Sequence, residues 1–336
     1  MKLVVLGLTL SSSWGNGHAT LWRGLCRALT RRGHRVVFFE RDVPYYAIHR
    51  DLRELPGTDL RLYESWEGVL PEARRQVADA DAAVVTSYCP DGVAASDLVL
   101  SADGPMSVFY DLDTPVTLEK LAAGEEVPYL PPGGLGGFDV VLSYPGGAAL
   151  TALRDRLGAR RVAPLYGSVD PEVHCPADPV PGFAGDLSYL GTYAADRQEA
   201  LERLFLEPAR RLPAKRFVIA GAQYPVGFPW GPNVFFVRHL PPADHPAFFA
   251  SSPLTLNVTR AAMANMGYCP SGRLFEAAAC GTAVLSDTWE GLDAFFEPGR
   301  EILLAGTSEQ AIEAVSLPRE EIRKIGRAAR ARTLAE

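Results

Sequence analysis

Two charged residues stand three positions apart in an otherwise apolar stretch, between Ser271, which suits a helix N-cap, and Gly281, which suits a helix stop. Arg273 and Glu276 therefore share one helix face. A surface ion pair would explain them, but a short helix without a polar stripe is expected to be buried, where a carboxylate needs a partner or a cavity. Free amides at a helix start suit a phosphate, and a carboxylate one turn later suits ribose hydroxyls. We therefore predict a nucleoside diphosphate site at Ser271, Gly272, Arg273 and Glu276.

Asn257 and Arg260 come at the end of the apolar run Leu254–Val258, which we predict to be a strand. Ligands of open α/β sheets bind beyond the carboxyl ends of the strands, so both side chains are candidates for donor binding. Arg260 could contact a diphosphate or a sugar, or it could form a structural salt bridge.

A glycine-containing loop, Trp14-Gly-Asn-Gly-His18, follows the first predicted strand, and its glycines allow close backbone approach to a ligand. Read as Gly15-x-Gly17-x-x-Thr20, it is a dinucleotide fingerprint without its third glycine, and Glu40 stands where a ribose-binding acid would be expected. An NAD- or flavin-dependent oxidoreductase is therefore one alternative. His18 is of a residue type that suits a general base, although an inert loop histidine is the simpler interpretation.

Two further carboxylates, Asp111 and Asp113, follow the predicted strand Met106–Tyr110 and precede Pro115. Residues at i and i+2 of such a segment are expected to differ in environment, so we predict that one of them faces the ligand edge. The competing interpretation is an Asx-type turn before the proline.

The elements that must position these residues alternate between strand and helix, as in a doubly wound fold. The fold class is therefore α/β, with two Rossmann-like domains. We predict an N-terminal domain at 1–168, a proline-rich linker at 169–186, a C-terminal domain at 187–318 and a terminal helix at 319–336. The predicted strands include Val36–Phe39, Leu187–Leu190 and Ala283–Ser286, and the predicted helices include Ala19–Arg32, Arg197–Arg211 and Gly272–Cys280.

Composition excludes several classes of protein. The 336 residues are 47% hydrophobic and 22% charged with a net charge of -7, which argues against a nucleic-acid partner. The five cysteines are scattered without a C-x-x-C pair, which favours free thiols over a disulfide or zinc framework. No apolar stretch approaches the roughly 20 residues of a membrane span, so we expect a cytoplasmic protein without integral membrane association.

The stretch Pro270–Leu304, with Gly291-Leu-Asp-Ala-Phe-Phe-Glu-Pro-Gly-Arg-Glu-Ile-Leu303, resembles the donor-binding half of GT-B glycosyltransferases, and most of all the CgeB-like (spore-maturation-type) group among the family-1/family-4-like transferases. The resemblance implies a GT-B fold whose two domains face each other across a cleft. It also implies that Glu276 holds the nucleotide ribose and that residues 271–273 lie near the pyrophosphate, with Tyr193 and Arg197 on the turn that meets it. One departure is Tyr268, which stands where many retaining relatives have a sugar-binding glutamate.

The same resemblance implies roles for the first domain. Similar G-x-G-H loops face the donor, so Gly17 is a donor-side candidate and His18 either contacts the donor or acts as the acceptor base. Asp113 matches an acidic position in the CgeB-like group and is the other candidate base. The implied reaction moves a sugar from a nucleoside diphosphate sugar to an unknown acceptor hydroxyl, with no metal and no resident cofactor. A sugar-nucleotide epimerase and a non-catalytic sugar-nucleotide binder remain alternatives.

Overall fold

The computed structural model describes residues 1–15 and 17–336; Asn16, in the middle of the predicted glycine loop, lies outside the described residues. The chain divides into two compact units, Met1–Tyr166 and Gly167–Glu336. Residues 169–186, predicted as a linker, are part of the second unit. Backbone hydrogen bonds fix this segment there, since Val180 donates to the Ser251 hydroxyl at 2.8 Å and Gly185 donates to the Ser251 carbonyl at 3.2 Å.

The first unit contains a seven-stranded parallel sheet in the order β3-β2-β1-β4-β5-β6-β7. Its strands are β1 (Lys2–Gly7), β2 (Arg35–Arg41), β3 (Thr58–Tyr63), β4 (Ala82–Thr86), β5 (Met106–Asp111), β6 (Val140–Ser143) and β7 (Val162–Pro164). Its helices are α1 (His18–Arg31), α2 (Pro44–Ala47), α3 (Trp66–Ala78), α4 (Gly92–Leu100), α5 (Thr114–Ala122) and α6 (Ala148–Leu157). The strand order reverses between β1 and β4.

The second unit contains a six-stranded parallel sheet in the order β10-β9-β8-β11-β12-β13. Its strands are β8 (Leu187–Leu190), β9 (Phe217–Gly221), β10 (Val234–Arg238), β11 (Leu254–Asn257), β12 (Ala283–Ser286) and β13 (Leu303–Leu304). Its helices are α7 (Gln198–Leu201), α8 (Glu207–Arg211), α9 (His245–Ala250), α10 (Ala261–Met266), α11 (Gly272–Ala279), α12 (Ser308–Ser316) and α13 (Arg319–Ala335). Here the order reverses between β8 and β11.

Each sheet is buried on both faces, which explains why its central strands are continuous apolar runs. In the first unit, Val37 and Phe39 belong to one apolar cluster and Val36 and Phe38 to another on the opposite face. The predicted α/β fold class with two Rossmann-like domains is therefore confirmed. Among the described residues, no helix is both long enough and apolar enough to cross a bilayer.

The helix predicted at Arg197–Arg211 is interrupted. A π-helical segment, Glu202–Leu206, separates α7 from α8 and ends two residues before Pro208. Proline has no amide proton and clashes with the carbonyl four residues earlier, and the wider turn accommodates it.

Candidate functional site

In the first unit, three polar side chains meet beyond the carboxyl ends of β1, β4 and β5. His18 begins α1, Tyr88 follows β4, and Asp113 follows β5. The Nε2 atom of His18 lies 4.0 Å from Oδ2 of Asp113, and the Tyr88 hydroxyl donates a hydrogen bond to that same oxygen at 2.8 Å. The structure therefore brings the two predicted catalytic residues together next to the reversal in strand order, where ligands of doubly wound sheets bind.

Tyr88 has a φ of +64°, a left-handed conformation that is uncommon for a residue with a bulky side chain. Its ring lies 6.1 Å from the His18 ring, and burial together with the neighbouring Asp113 carboxylate raises the pKa of its hydroxyl. Tyr88 therefore remains a hydrogen-bond donor to Asp113. Backbone strain of this kind persists where the surrounding structure holds it in place, and no local sequence signal predicts it.

Asp111 is fully buried, and its carboxylate hydrogen-bonds to the segment that follows it. Its Oδ1 accepts hydrogen bonds at 3.1 Å from the Asp113 amide and from the Thr117 hydroxyl, and burial raises its pKa to about 6. The Asx-type turn considered for this segment is thus made by Asp111. Asp113, although it is the N-cap residue of α5, makes no side-chain cap and faces His18 and Tyr88.

Glu40, which would bind a ribose under the dinucleotide-fingerprint interpretation, accepts hydrogen bonds from the loop after β1. It is 1% exposed and accepts hydrogen bonds from the amides of Leu10 and Ser11 and from the hydroxyls of Thr9 and Ser11. A carboxylate surrounded in this way is not presented to a dinucleotide. Gly17, the N-cap residue of α1, is exposed and has open space where a Cβ would stand.

In the second unit, α11 begins and ends at the predicted residues. The Ser271 hydroxyl accepts a hydrogen bond from the amide of Arg273 at 3.3 Å, and Gly281 follows the helix with a φ of +82°. Gly272 is the first helical residue. The helix buries Leu274, Glu276 and Ala277–Ala279, as the missing polar stripe indicated.

The side chain of Arg273 forms its hydrogen bonds with residues outside its own helix. Its guanidinium donates to Oδ1 of Asn257 at 2.9 Å and to the carbonyl of Leu190, and it stands over the Tyr189 ring at 4.9 Å from the centroid. Asn257 is fully buried and also donates to the Ser286 hydroxyl at 3.0 Å. Arg273 and Asn257 thus connect the start of α11 to the ends of β8 and β11, at the reversal in strand order of this sheet.

The other donor-side candidates lie around the same strand ends. Arg260 faces Asp196 across 3.4 Å, as the salt-bridge alternative expected. Arg197 donates to the carbonyl of Thr192 at 2.7 Å and thereby closes the turn after β8. The Tyr193 ring lies 5.5 Å from that of Tyr224.

Glu276 has two histidine neighbours that the sequence did not single out. Nε2 of His174 lies 3.9 Å from its Oε1, and Nδ1 of His245 lies 4.0 Å from its Oε2. Nε2 of His174 lies 3.5 Å from Nδ1 of His245. These nitrogen and oxygen atoms are the one group of three among the described residues that could hold a metal ion.

Two doubly wound parallel sheets in one chain, each with polar side chains at its reversal point, define the architecture of GT-B proteins. Comparison with known proteins agrees. Residues 197–336 match the family model described as "Glycosyl transferase-like".

Solved structures share the fold over the whole chain. Sucrose-phosphate synthase from Thermosynechococcus elongatus matches with a TM-score of 0.66 and 14% identity over 99% of this chain and 94% of its own. HepE of Anabaena, in complex with UDP and glucose, matches with a TM-score of 0.67 and 14% identity over 100% of this chain and 95% of its own. An alpha-glucosyltransferase in complex with UDP and a 13-mer DNA matches with a TM-score of 0.65 and 13% identity over 99% of this chain and 94% of its own. No curated protein sequence matches the chain. At these identities, the likeness establishes the GT-B fold.

Proposed function

We propose that the protein is a glycosyltransferase of the CgeB-like group, which moves a sugar from a nucleoside diphosphate sugar to an acceptor hydroxyl. The observation that carries the proposal is the position of Glu276 inside the stretch that matches the glycosyl transferase-like family model. Glu276 is 9% exposed as a residue, and it lies one turn past a capped helix start, at the strand reversal of the second sheet. HepE, with the same fold, was solved with UDP and glucose and with UDP-glucose.

The donor would be held by the second unit. Glu276 accepts the ribose hydroxyls, and the first amides of α11 at Ser271 and Gly272 face the diphosphate, where the helix dipole favours negative charge. Arg260 and Arg197 supply nearby positive charge, and Tyr193 lies on the same turn. Arg273, supported by Asn257, fixes the helix start. Helix amides and cations can stabilise a departing diphosphate without a metal, so the proposal includes no metal and no resident cofactor.

The acceptor chemistry would be carried by the first unit. We assign His18 as the base and Asp113 as the carboxylate that orients it. In the transfer step His18 takes the acceptor hydroxyl proton, the acceptor oxygen bonds to the anomeric carbon, and the bond from that carbon to the diphosphate oxygen breaks. Asp113 stabilises the imidazolium that forms.

The alternatives are less well supported. An epimerase or a non-catalytic binder needs the donor site alone and gives no role to the His18–Asp113 pair. A nicotinamide or flavin oxidoreductase would need Glu40 for a ribose, and that carboxylate is occupied by the loop after β1. A nucleotide sugar that stays unconverted without an acceptor and is consumed with one would separate transfer from epimerisation.

The test is nucleotide binding. We expect UDP or another nucleoside diphosphate to raise the melting temperature of the chain, and Glu276→Ala to weaken that binding by about 1–3 kcal/mol, the value of a lost charged hydrogen-bond partner. Isothermal titration gives the affinities, and Glu313→Ala, an exposed glutamate of α12 in the same unit, is the matched control. Equal affinity in Glu276→Ala and the parent protein would show that the ribose lies elsewhere.

A further inference from the structure

The carboxylate of Glu276 stands against two imidazoles from parts of the chain far apart in sequence. His174 comes from the segment that precedes β8, and His245 begins α9. His174 is 3% exposed, and the side chains of His245 and Glu276 are each 12% exposed. Each imidazole approaches a different carboxylate oxygen, at 3.9 and 4.0 Å. One imidazole therefore lies next to each oxygen of the carboxylate.

The arrangement of protons follows from what surrounds each ring. No described residue hydrogen-bonds Nδ1 of His174, which is buried. A buried N–H without an acceptor costs more than a bare ring nitrogen, so the proton of a neutral His174 belongs on Nε2, which lies 3.5 Å from Nδ1 of His245 and 3.9 Å from Oε1 of Glu276. Burial lowers the pKa of His245 to about 4, so that ring is neutral at pH 7, and the backbone carbonyl of Leu240 accepts its hydrogen bond.

The same atoms could be read as a metal site, but the geometry favours a proton network. A histidine bound to metal through one nitrogen almost always donates its other N–H to an acceptor. Nδ1 of His174 has no such acceptor among the described residues. A metal on Nε2 would leave a buried, unsatisfied N–H, whereas an N–H on Nε2 has Nδ1 of His245 at 3.5 Å as its acceptor and the Glu276 carboxylate at 3.9 Å beside it.

The backbone of the 170–174 segment fixes His174 in place. The His174 amide donates to the Asp170 carbonyl at 2.9 Å, and the Glu172 amide donates to the Asp170 carboxylate at 3.2 Å. This turn presents the imidazole to α11. A segment whose prolines predict a linker thus supplies a side chain to the donor site.

We propose that His174 and His245 are positioning residues for Glu276: the Nε2–H of His174 holds the carboxylate in the orientation that accepts the nucleotide ribose, and Nδ1 of His245 fixes the His174 ring. The inference rests on the proposed donor-binding role of Glu276. Neither histidine needs to touch the nucleotide, because His174 acts through the carboxylate and His245 acts through His174.

The first experiment measures coupling. We expect His174→Ala and His245→Ala each to weaken UDP binding by roughly two- to tenfold, the range for the loss of one ordinary hydrogen bond. His174→Gln, which keeps an N–H donor at the end of the side chain, should recover part of that affinity. In a protein that already carries Glu276→Ala, the histidine substitutions should cause no further loss of UDP affinity. Cys175→Ala, in the adjacent position, is the matched control and should bind UDP like the parent protein. Full additivity of the His174 and Glu276 substitutions would overturn the proposal.

The second experiment needs no nucleotide, so failure of the proposed function does not decide it. Long-range ¹H–¹⁵N spectra of the unliganded full-length protein at pH 7 should show His174 as the Nε2–H form. Glu276→Gln should shift the ring-nitrogen signals of both histidines. Unchanged signals in that variant, or a stoichiometric metal ion that is lost in His174→Ala, would refute the positioning role. If the ring-nitrogen signals respond to Glu276→Gln as expected but the protein does not bind UDP, only the proposed donor function is refuted.

Discussion

The hydroxyl of Tyr88 and the ring of His18 meet at a single oxygen of Asp113, and this sharing defines what each residue can do. An aspartate that accepts from a tyrosine on one side is held in one orientation, so its oxygen is directed at the imidazole on the other side. The left-handed backbone of Tyr88 is the conformational cost of that placement. In the proposed reaction, Asp113 therefore acts through His18.

If His18 is the base, His18→Ala should lower kcat by about 10²- to 10⁴-fold, the contribution of a positioned general base, while the affinity for UDP stays unchanged. Tyr88→Phe removes the donor to Asp113 but leaves the base, so its loss in kcat should be smaller. Steady-state kinetics with a saturating donor measures both variants, and His34→Ala in the same unit is the control. A His18→Ala enzyme with the parent kcat would move the base assignment to Asp113.

The buried Asp111 predicts a pH dependence of stability. Its pKa of about 6 lies above the ordinary value of about 3.8, so between those values the folded state keeps a proton that the unfolded chain releases. Its contribution to the free energy of unfolding is therefore present below about pH 4 and falls as pH rises to about 6, by roughly 2–3 kcal/mol. Asp111→Asn cannot ionise. Urea unfolding of both proteins from pH 4 to 7 should show curves that diverge across this window, and parallel curves would contradict the assignment.

The loops that follow β8 and β9 are packed directly against each other. Gly221, the last residue of β9, has a φ of +155°, and a Cβ there would stand 2.0 Å from the carbonyl oxygen of Gly191. The turn from Gly191 to Arg197 carries the candidate pyrophosphate contacts. Its position therefore depends on a glycine in the neighbouring strand.

Gly221→Ala should lower the free energy of unfolding by about 1–3 kcal/mol, as overpacking does, and should also weaken UDP binding because the turn after β8 must move. The control is Gly227→Ala, since no described atom lies within 4 Å of where its Cβ would be. Denaturant unfolding and titration calorimetry measure the two effects. A Gly221→Ala protein as stable as the control would show that the two loops adjust freely.

Local signals predicted the elements that depend on local chemistry. Ser271 and Gly281 bound α11 as expected, because a cap and a left-handed stop are properties of single residues. The sequence pattern does not predict the edge strand β3, since Thr58–Tyr63 mixes polar and apolar residues and lies at the edge of the sheet beside β2. The imidazoles at Glu276 could not be predicted, because 71 residues separate them and only the tertiary fold brings them together.

The fold and the charge of the whole chain have different consequences for the acceptor. The alpha-glucosyltransferase solved with DNA has this fold at 13% identity, but a GT-B fold does not define an acceptor. Nucleic-acid binding depends on lysines and arginines that neutralise phosphates, and this chain has a net charge of -7. The acceptor we expect is therefore not a nucleic acid.

Fluorescence anisotropy with a labelled DNA duplex tests this expectation on the full-length protein. We expect no saturable binding at micromolar protein in about 150 mM salt, because a site built on phosphate contacts needs a clustered positive surface. UDP binding by the same preparation is the control that the protein is active. Binding that strengthens log-linearly as salt is lowered and is lost at high salt would reveal a local basic surface that the net charge conceals, and would return DNA to the candidate acceptors.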